Sequence, residues 1–203
     1  MKTVAVITFS ILALTLLNPA QAAPVQFGDN GHYYELVPGQ ITWHAALDDA
    51  LGRTFGGASG YLATITTAGE SQFIVDKFAT LLSSEFAWVG GHEPADDGVW
   101  KWACGPEEGV QYSLHAAATP PFNYANWGGI EPNDFNVGED FMMMNVGVMF
   151  SGIAAGQWAD AIPTPNPNDP VSGYIVEYTP EPATGLLLAL GSLAAVRRRR
   201  RRA

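Results

Sequence analysis

The spacing of hydrophobic and polar positions changes period several times along the chain, and each change marks an element. Tyr33-Tyr34-Glu35-Leu36-Val37 is dense in β-forming residues and predicts a first strand. Thr42 then offers a side-chain oxygen to the free N–H groups of a helix over Trp43–Gly52. On that helix Trp43, Ala46, Leu47, Ala50 and Leu51 fall on one face. Gly52 to Gly60 holds four glycines and reads as a loop. Tyr61-Leu62-Ala63-Thr64-Ile65 predicts a short strand. Thr67-x-x-Glu70 is a capping box, in which each side chain can bond the other residue's backbone N–H. It opens a second helix predicted to run to about Leu82, with Phe73, Ile74, Phe78 and Leu81 or Leu82 as its apolar stripe. Phe86–Gly90 is continuously apolar, the pattern of a buried strand, and Val99–Trp102 forms another.

From Gly105 to Asp140 the periodicity is lost. This long stretch bears glycines and prolines and reads as mostly irregular, the kind of loop that carries function in a compact domain. Tyr112, Phe122, Tyr124 and Trp127 give it enough apolar surface to be ordered. Strands resume at Phe141–Val148 and near Gln157-Trp158, Pro163 to Pro170 makes a turn, and Gly173–Tyr178 closes as a last strand. There is no internal repeat. Two helices followed by strands and long loops predict an α+β fold rather than alternating βαβ units.

Both ends read as addresses. Lys2 precedes an apolar run from Val4 to Leu17, followed by Ala20-Gln21-Ala22. Basic start, apolar middle and small-residue site are the parts of a secretory signal peptide over residues 1–22. The run is shorter than the ~20 residues that a membrane span needs. At the other end, Pro180-Glu181-Pro182 precedes an apolar run from Ala183 to Val196 and six arginines, Arg197 to Arg202. The arginines favour the cytoplasmic side of a membrane. This order resembles the PEP-CTERM sorting signal of Gram-negative bacteria over residues 180–203. The resemblance implies export, transient membrane association, processing by an exosortase-type enzyme, and a secreted or cell-surface location in the outer envelope. The domain between the signals is expected at residues 23–179, a length that suits one core.

Charge sharpens the picture once the signals are set aside. Nineteen acids lie between Asp29 and Glu177, against Arg53, Lys77 and Lys101, a formal charge near −16. Such a domain repels nucleic acid and anionic membranes and suits a holder of cations. Cys104 is the only cysteine, so no internal disulfide can form and the core must stand on packing. His32, His44, His92 and His115 have no metal-site spacing.

The acids cluster most tightly in the irregular stretch. Asn126-Trp127-Gly128-Gly129-Ile130-Glu131-Pro132-Asn133-Asp134, with Glu139-Asp140 five residues on, packs carboxylate and amide oxygens around a proline. Hard cations such as Ca²⁺ take 6–8 oxygen ligands of this kind. The motifs along the chain, taken in order, resemble the C-type lectin-like domain over most of residues 30 to 178. They are Trp43-x-x-Ala46, Tyr61-Leu62-Ala63-Thr64-Ile65 with Glu70, Trp88-Val89-Gly90-Gly91, and Gly98-x-Trp100-x-Trp102. Asn126-Trp127, Glu131-Pro132-Asn133 and Glu139-Asp140 follow, then Trp158-Ala159-Asp160 and Ile175-Val176-Glu177-Tyr178. The resemblance implies two helices, small antiparallel sheets and a long loop region. It implies a Ca²⁺ site made by Glu131, Asn133, Glu139 and Asp160, with a cis Pro132, that binds vicinal hydroxyls of mannose- or glucose-type sugars. It implies a second, structural Ca²⁺ site at Glu93, Asp97, Asp134 and Asp140.

Two departures qualify that pattern. Ala159 stands where the family has an asparagine ligand, and Phe141, Pro163 and Val176 stand where it has disulfide cysteines. The expectation is therefore an exported, calcium-dependent binder of a glycan or exopolysaccharide, not an enzyme. The alternative is a non-sugar adhesion or matrix module on the same fold, which Ala159 favours. A hydrolase would need an acid of raised pKa among Glu131, Glu139 and Asp160, and nothing in the sequence singles one out.

Overall fold

The computed structural model describes residues 23–180 apart from Ser83. The expected signal peptide, residues 1–22, and all but the first residue of the 180–203 segment lie outside the described residues. In chain order the elements are β1 (Val25–Gln26), β2 (Tyr33–Pro38), α1 (Trp43–Gly52), β3 (Thr54–Phe55), β4 (Ala58–Leu62), α2 (Ala68–Phe78), β5 (Phe86–His92), β6 (Val99–Trp102), β7 (Gln111–Leu114), β8 (Ala117–Ala118), β9 (Phe141–Asn145), β10 (Trp158–Ala161) and β11 (Val171–Tyr178).

The last strand organises the sheet. All eight residues of β11 are buried. It pairs antiparallel with β2 and β4 and parallel with β5. β5 passes the sheet outward to β6 and to β9, which pairs with β10. The two chain ends of the domain thus run side by side, Tyr178 opposite Tyr33. Gly90 is required in β5, because a Cβ there would come 2.7 Å from the Leu62 carbonyl oxygen. The neighbouring Trp88 and Trp43 indoles donate to the Ile41 and Val89 carbonyls, both at 2.9 Å. These bonds tie α1 and its leading turn to β5.

Packing does the work that disulfides would do. Phe141 sits 4.8 Å from the Trp43 ring and 4.9 Å from His44, centroid to centroid. The Pro163 carbonyl accepts the Trp43 N–H at 2.8 Å, and Val176 is fully buried. Cys104 is buried, its thiol pushed up to about 12 by burial, and it plays a packing role. A second aromatic group builds the floor under the long loop. Trp158 is fully buried and meets Tyr112, Tyr124 and Trp127 edge-on, while Trp102 stacks on Tyr112 at 4.2 Å.

Several predicted boundaries move. The second helix ends at Phe78 rather than Leu82, leaving Leu81 about half exposed. Glu70 completes the cap through the Thr66 N–H at 2.8 Å rather than that of Thr67. The strand expected at Tyr61–Ile65 lies earlier, at Ala58–Leu62, because the Thr64 N–H turns to the Glu177 carboxylate at 3.0 Å. The stretch expected to be irregular contains β7 and β8. β9 stops at Asn145 rather than Val148. The Asn145 side chain donates to the Val148 and Ile153 carbonyls at 2.8 and 2.7 Å and accepts from the Gly147 N–H, which turns the chain away from the sheet. The sheet also includes one parallel pairing, β11 with β5, among its antiparallel ones.

A buried polar cluster lies between β2, α2 and β11. The Tyr34 hydroxyl lies 2.6 Å from Glu70 Oε1 and 3.1 Å from Glu177 Oε1, and His32 Nδ1 contacts Glu177 at 2.5 Å. Burial first, then the Glu177 charge, pushes Glu70 up to about 7 from 4.5. The hydrogen bond to Glu177 holds His32 above its usual 6.5. Both groups bind protons more tightly in the native state. Their stabilisation is fully present below their unfolded values and fades as pH rises through the folded ones. Glu70→Gln should therefore gain stability relative to the parent as pH rises from 5 to 8, measured by urea unfolding in EDTA. A difference independent of pH would contradict this account of Glu70.

Candidate functional site

The site forms where the long loop meets β10. Asp160 is the junction. It belongs to a strand, is 4% exposed, and accepts backbone N–H bonds from Asn133 at 3.1 and 3.0 Å and from Asp134 at 2.7 Å. The loop is thereby clamped to the sheet. The Glu131-Pro132 bond is cis, and the Asn133 amide donates to Glu131 Oε2 at 2.6 Å. Glu139, 4% exposed, accepts from the Asn136 amide at 2.7 Å. Glu131, Asn133, Glu139 and Asp160 all line one cavity of about 450 Å³. The four residues expected to converge are thus brought to one place.

Its electrostatics are one-sided. No lysine or arginine lines the cavity among the described residues. Burial first, then contact with Asp160 and the charges of Asp160, Glu139 and Asp169, pushes Glu131 up to about 9. Glu139 is raised chiefly by burial, with Asp160 and Asp169 adding to it. Carboxylates held this close must take up protons or a cation. The donor set is entirely oxygen, the chemistry of a hard cation, and its charges call for one. The spacing is open, however. Among the described residues no three His, Cys, Asp or Glu groups form a preassembled metal cluster. The residues present therefore fit calcium in the chemistry of their oxygens and in lining one cavity, without being spaced as a formed site.

The second expected group is only partly assembled. Glu93, Asp97 and Asp134 line a neighbouring cavity of about 440 Å³, together with Asp96, Asn133 and Asp160. Asp140 stands outside that lining, though its carbonyl accepts the Glu93 N–H at 2.8 Å. Its carboxyl is raised by burial and by Asp96, Asp134 and Asp160. Asn133 and Asp160 line both cavities. Two residues escaped the sequence reading, Asn136 and Asp169. Asn136 stands three residues before Glu139, an available signal. Asp169 lies in the turn between Pro163 and Pro170, and only the tertiary fold brings it to the cavity. Ala159 lines the cavity too, with a methyl group and nothing to ligate.

The architecture matches solved structures closely enough to decide the fold. The C-type lectin CEL-I from Cucumaria echinata aligns with a TM-score of 0.56 and 18% identity, over 80% of this chain and 99% of that one. The cow CD23 C-type carbohydrate-recognition domain, solved in the presence of a GlcNAc2Man3 oligosaccharide, aligns with a TM-score of 0.54 and 20% identity. That match spans 79% of this chain and 95% of the other. The fold is that of the C-type lectin-like domain. Residues 179–202 match the PEP-CTERM protein-sorting motif, so this C-type lectin-like domain travels with a sorting signal for the cell envelope. Halomucin from Haloquadratum walsbyi is 33% identical over 150 residues, 73% of this chain. The chain spans 1% of the length of that curated relative.

The clamp at Asp160 should be measurable without any metal. Hydrogen bonds to a charged acceptor contribute about 1.5–3 kcal/mol. Asp160→Ala should therefore speed protease cleavage within residues 131–139 in EDTA while leaving the core near-ultraviolet circular dichroism intact. Unchanged cleavage would mean that the loop is held by something else.

Proposed function

We propose that this chain is an exported, calcium-dependent saccharide-binding protein of the cell surface or surrounding matrix. The observation that carries the proposal is the convergence of Glu131, Asn133, Glu139 and Asp160 on one cavity. When bound there, calcium would offer coordination positions to two vicinal sugar hydroxyls. The carboxylates then accept hydrogen bonds from those hydroxyls, and the Asn133 amide donates one. Glu131 followed by Pro132 and Asn133 carries the mannose- or glucose-type preference that the family resemblance implies. The absence of a basic residue from the described lining favours neutral sugars over anionic ones. The sorting motif at 179–202 supports an exosortase-type processing partner and an envelope location in a Gram-negative bacterium.

Binding is the better reading than catalysis. Glu131 has the raised pKa that a general acid needs. Glu139 and Asp160 line the same cavity with oxygens suited to a cation, and a cation there would claim those carboxylates. A second reading, a non-sugar adhesion or matrix module, draws support from Ala159, which is buried in the same apolar cluster as Phe86 and Met143 and offers the site no oxygen. The second group, Glu93, Asp97, Asp134 and Asp140, is proposed as an auxiliary structural calcium site.

Extracellular calcium modules bind in the range of about 10⁻⁴–10⁻³ M. At the tighter end, 10 mM Ca²⁺ would add about 2.7 kcal/mol, a rise of about 5–10 °C in melting temperature for a domain of this size. The full chain should show that rise, and Glu131→Ala and Asp160→Ala should each remove most of it. Mannose-agarose should retain the parent protein in Ca²⁺ and release it in EDTA. Calcium stabilisation without retention would select the non-sugar module, and no stabilisation at all would reject the metal site.

A further inference from the structure

The large hydrophobic side chains that the domain leaves in water are concentrated, not scattered. Of the eight exposed ones among the described residues, Ile130, Phe135, Val137, Val148 and Met149 belong to two segments that border the cavity of Glu131 and Asp160. Phe135 lines that cavity directly, as does Phe150, the neighbour of Met149. Phe135 is 81% exposed and Met149 70%. Both segments are held in place. Phe135 follows the backbone that Asp160 clamps at Asn133 and Asp134. The Val148 N–H donates to the Glu85 carboxylate at 2.7 Å, and its carbonyl accepts from the Asn145 amide at 2.8 Å. Phe150 bonds the Ile153 backbone and meets Phe86 edge-on at 5.7 Å. Apolar surface held out of the core at the edge of a cavity marks contact with a ligand or partner.

Charge narrows the choice of occupant. Glu131, Glu139, Asp160 and Asp169 line the cavity with no lysine or arginine in the described lining. An anionic head group is repelled there, so a fatty acid or an acidic lipid does not fit. Hydroxyls suit the amide and carboxylate oxygens. Phe135, Phe150 and Pro167, in the same lining, offer hydroxyls nothing and suit hydrocarbon. The cavity volume of about 450 Å³ falls within the about 300–1,000 Å³ of sites that hold drug-sized molecules. We propose that the ligand is amphipathic, a saccharide that carries an alkyl or acyl substituent. Its hydroxyls face Glu131, Asn133 and Asp160, and its hydrocarbon lies against Phe135, Val148, Met149 and Phe150. The inference rests on saccharide binding by this cavity and names the substituent that the saccharide bears.

Methyl α-mannoside and octyl α-mannoside, the latter below its micelle concentration, are the probes, each used to release the full chain from mannose-agarose in Ca²⁺. The octyl glycoside should act at a concentration about tenfold lower, because part of its chain leaves water on binding. Val148→Ser combined with Met149→Ser should lose most of that advantage while keeping release by the methyl glycoside and the parent melting temperature. Leu51→Ser, exposed but outside the cavity lining, should keep the advantage. If the double variant does not fold, Phe135→Ser on the other segment carries the same test. Equal release by the two glycosides would overturn the proposal, and so would an advantage that survives the substitutions. Stronger release by octylammonium than by octyl mannoside would also overturn it, since the acids would then be selecting a positive head. A parent that sediments as a dimer, with a double variant that sediments as a monomer, would assign the surface to a second copy instead. Failure of mannose-agarose to retain the parent would reject the saccharide reading itself, a distinct outcome that removes this inference with it.

Discussion

The clamp of Asp160 on the backbone of Asn133 and Asp134 is the interaction on which the functional end of the molecule depends. It joins the most ordered part of the structure to the least regular. β10 is rigid because it pairs with β9 and rests on the aromatic floor around Trp158. At its acidic turn the loop is held to the sheet by this carboxylate. One side chain therefore fixes the loop and lines the cavity, with both of its oxygens engaged by the loop's backbone. Charge makes the arrangement conditional. Glu131, Glu139 and Asp169 line the same cavity with no basic residue in the described lining, so their charges repel unless something neutralises them.

The opposite end of the domain handles buried charge differently. Glu70 and Glu177 are equally out of water, but Tyr34, His32, Thr64 and Thr66 meet their oxygens. Those acids are structural because the chain itself supplies their partners. The acids of the cavity are candidates for function because the chain supplies too few. The contrast separates the two clusters more clearly than burial alone, which is similar for Glu139 and Glu177.

Much of the fold was legible in the sequence. The two helices and their threonine caps follow from periodicity and local hydrogen bonding, and both start where predicted. The buried strand at Phe86 follows from a continuous apolar run, and the closing strand expected at Gly173–Tyr178 starts two residues earlier, at Val171. What was not legible depended on long-range contacts. Thr64 leaves the predicted strand because Glu177, more than a hundred residues away, offers a better acceptor. Asn145 ends β9 through bonds to residues beyond it, against a run of apolar residues that predicts continuation. At the site, Glu131, Asn133, Glu139 and Asp160 could be named from an ordered set of motifs, and the cavity gathers them. Asp169 could not, because only the path of the turn after β10 brings it to the cavity. Asp140 stands outside the lining of the neighbouring cavity, a placement that only the tertiary structure reveals.

The direction of β11 has one further consequence. The strand begins at Val171, two residues after Asp169, and ends at Tyr178, immediately before the sorting motif. Eight extended residues separate those points by about 23 Å. The start of the sorting motif and the acidic mouth therefore lie at opposite ends of β11. A molecule anchored through that end would carry its mouth on the side away from the anchor.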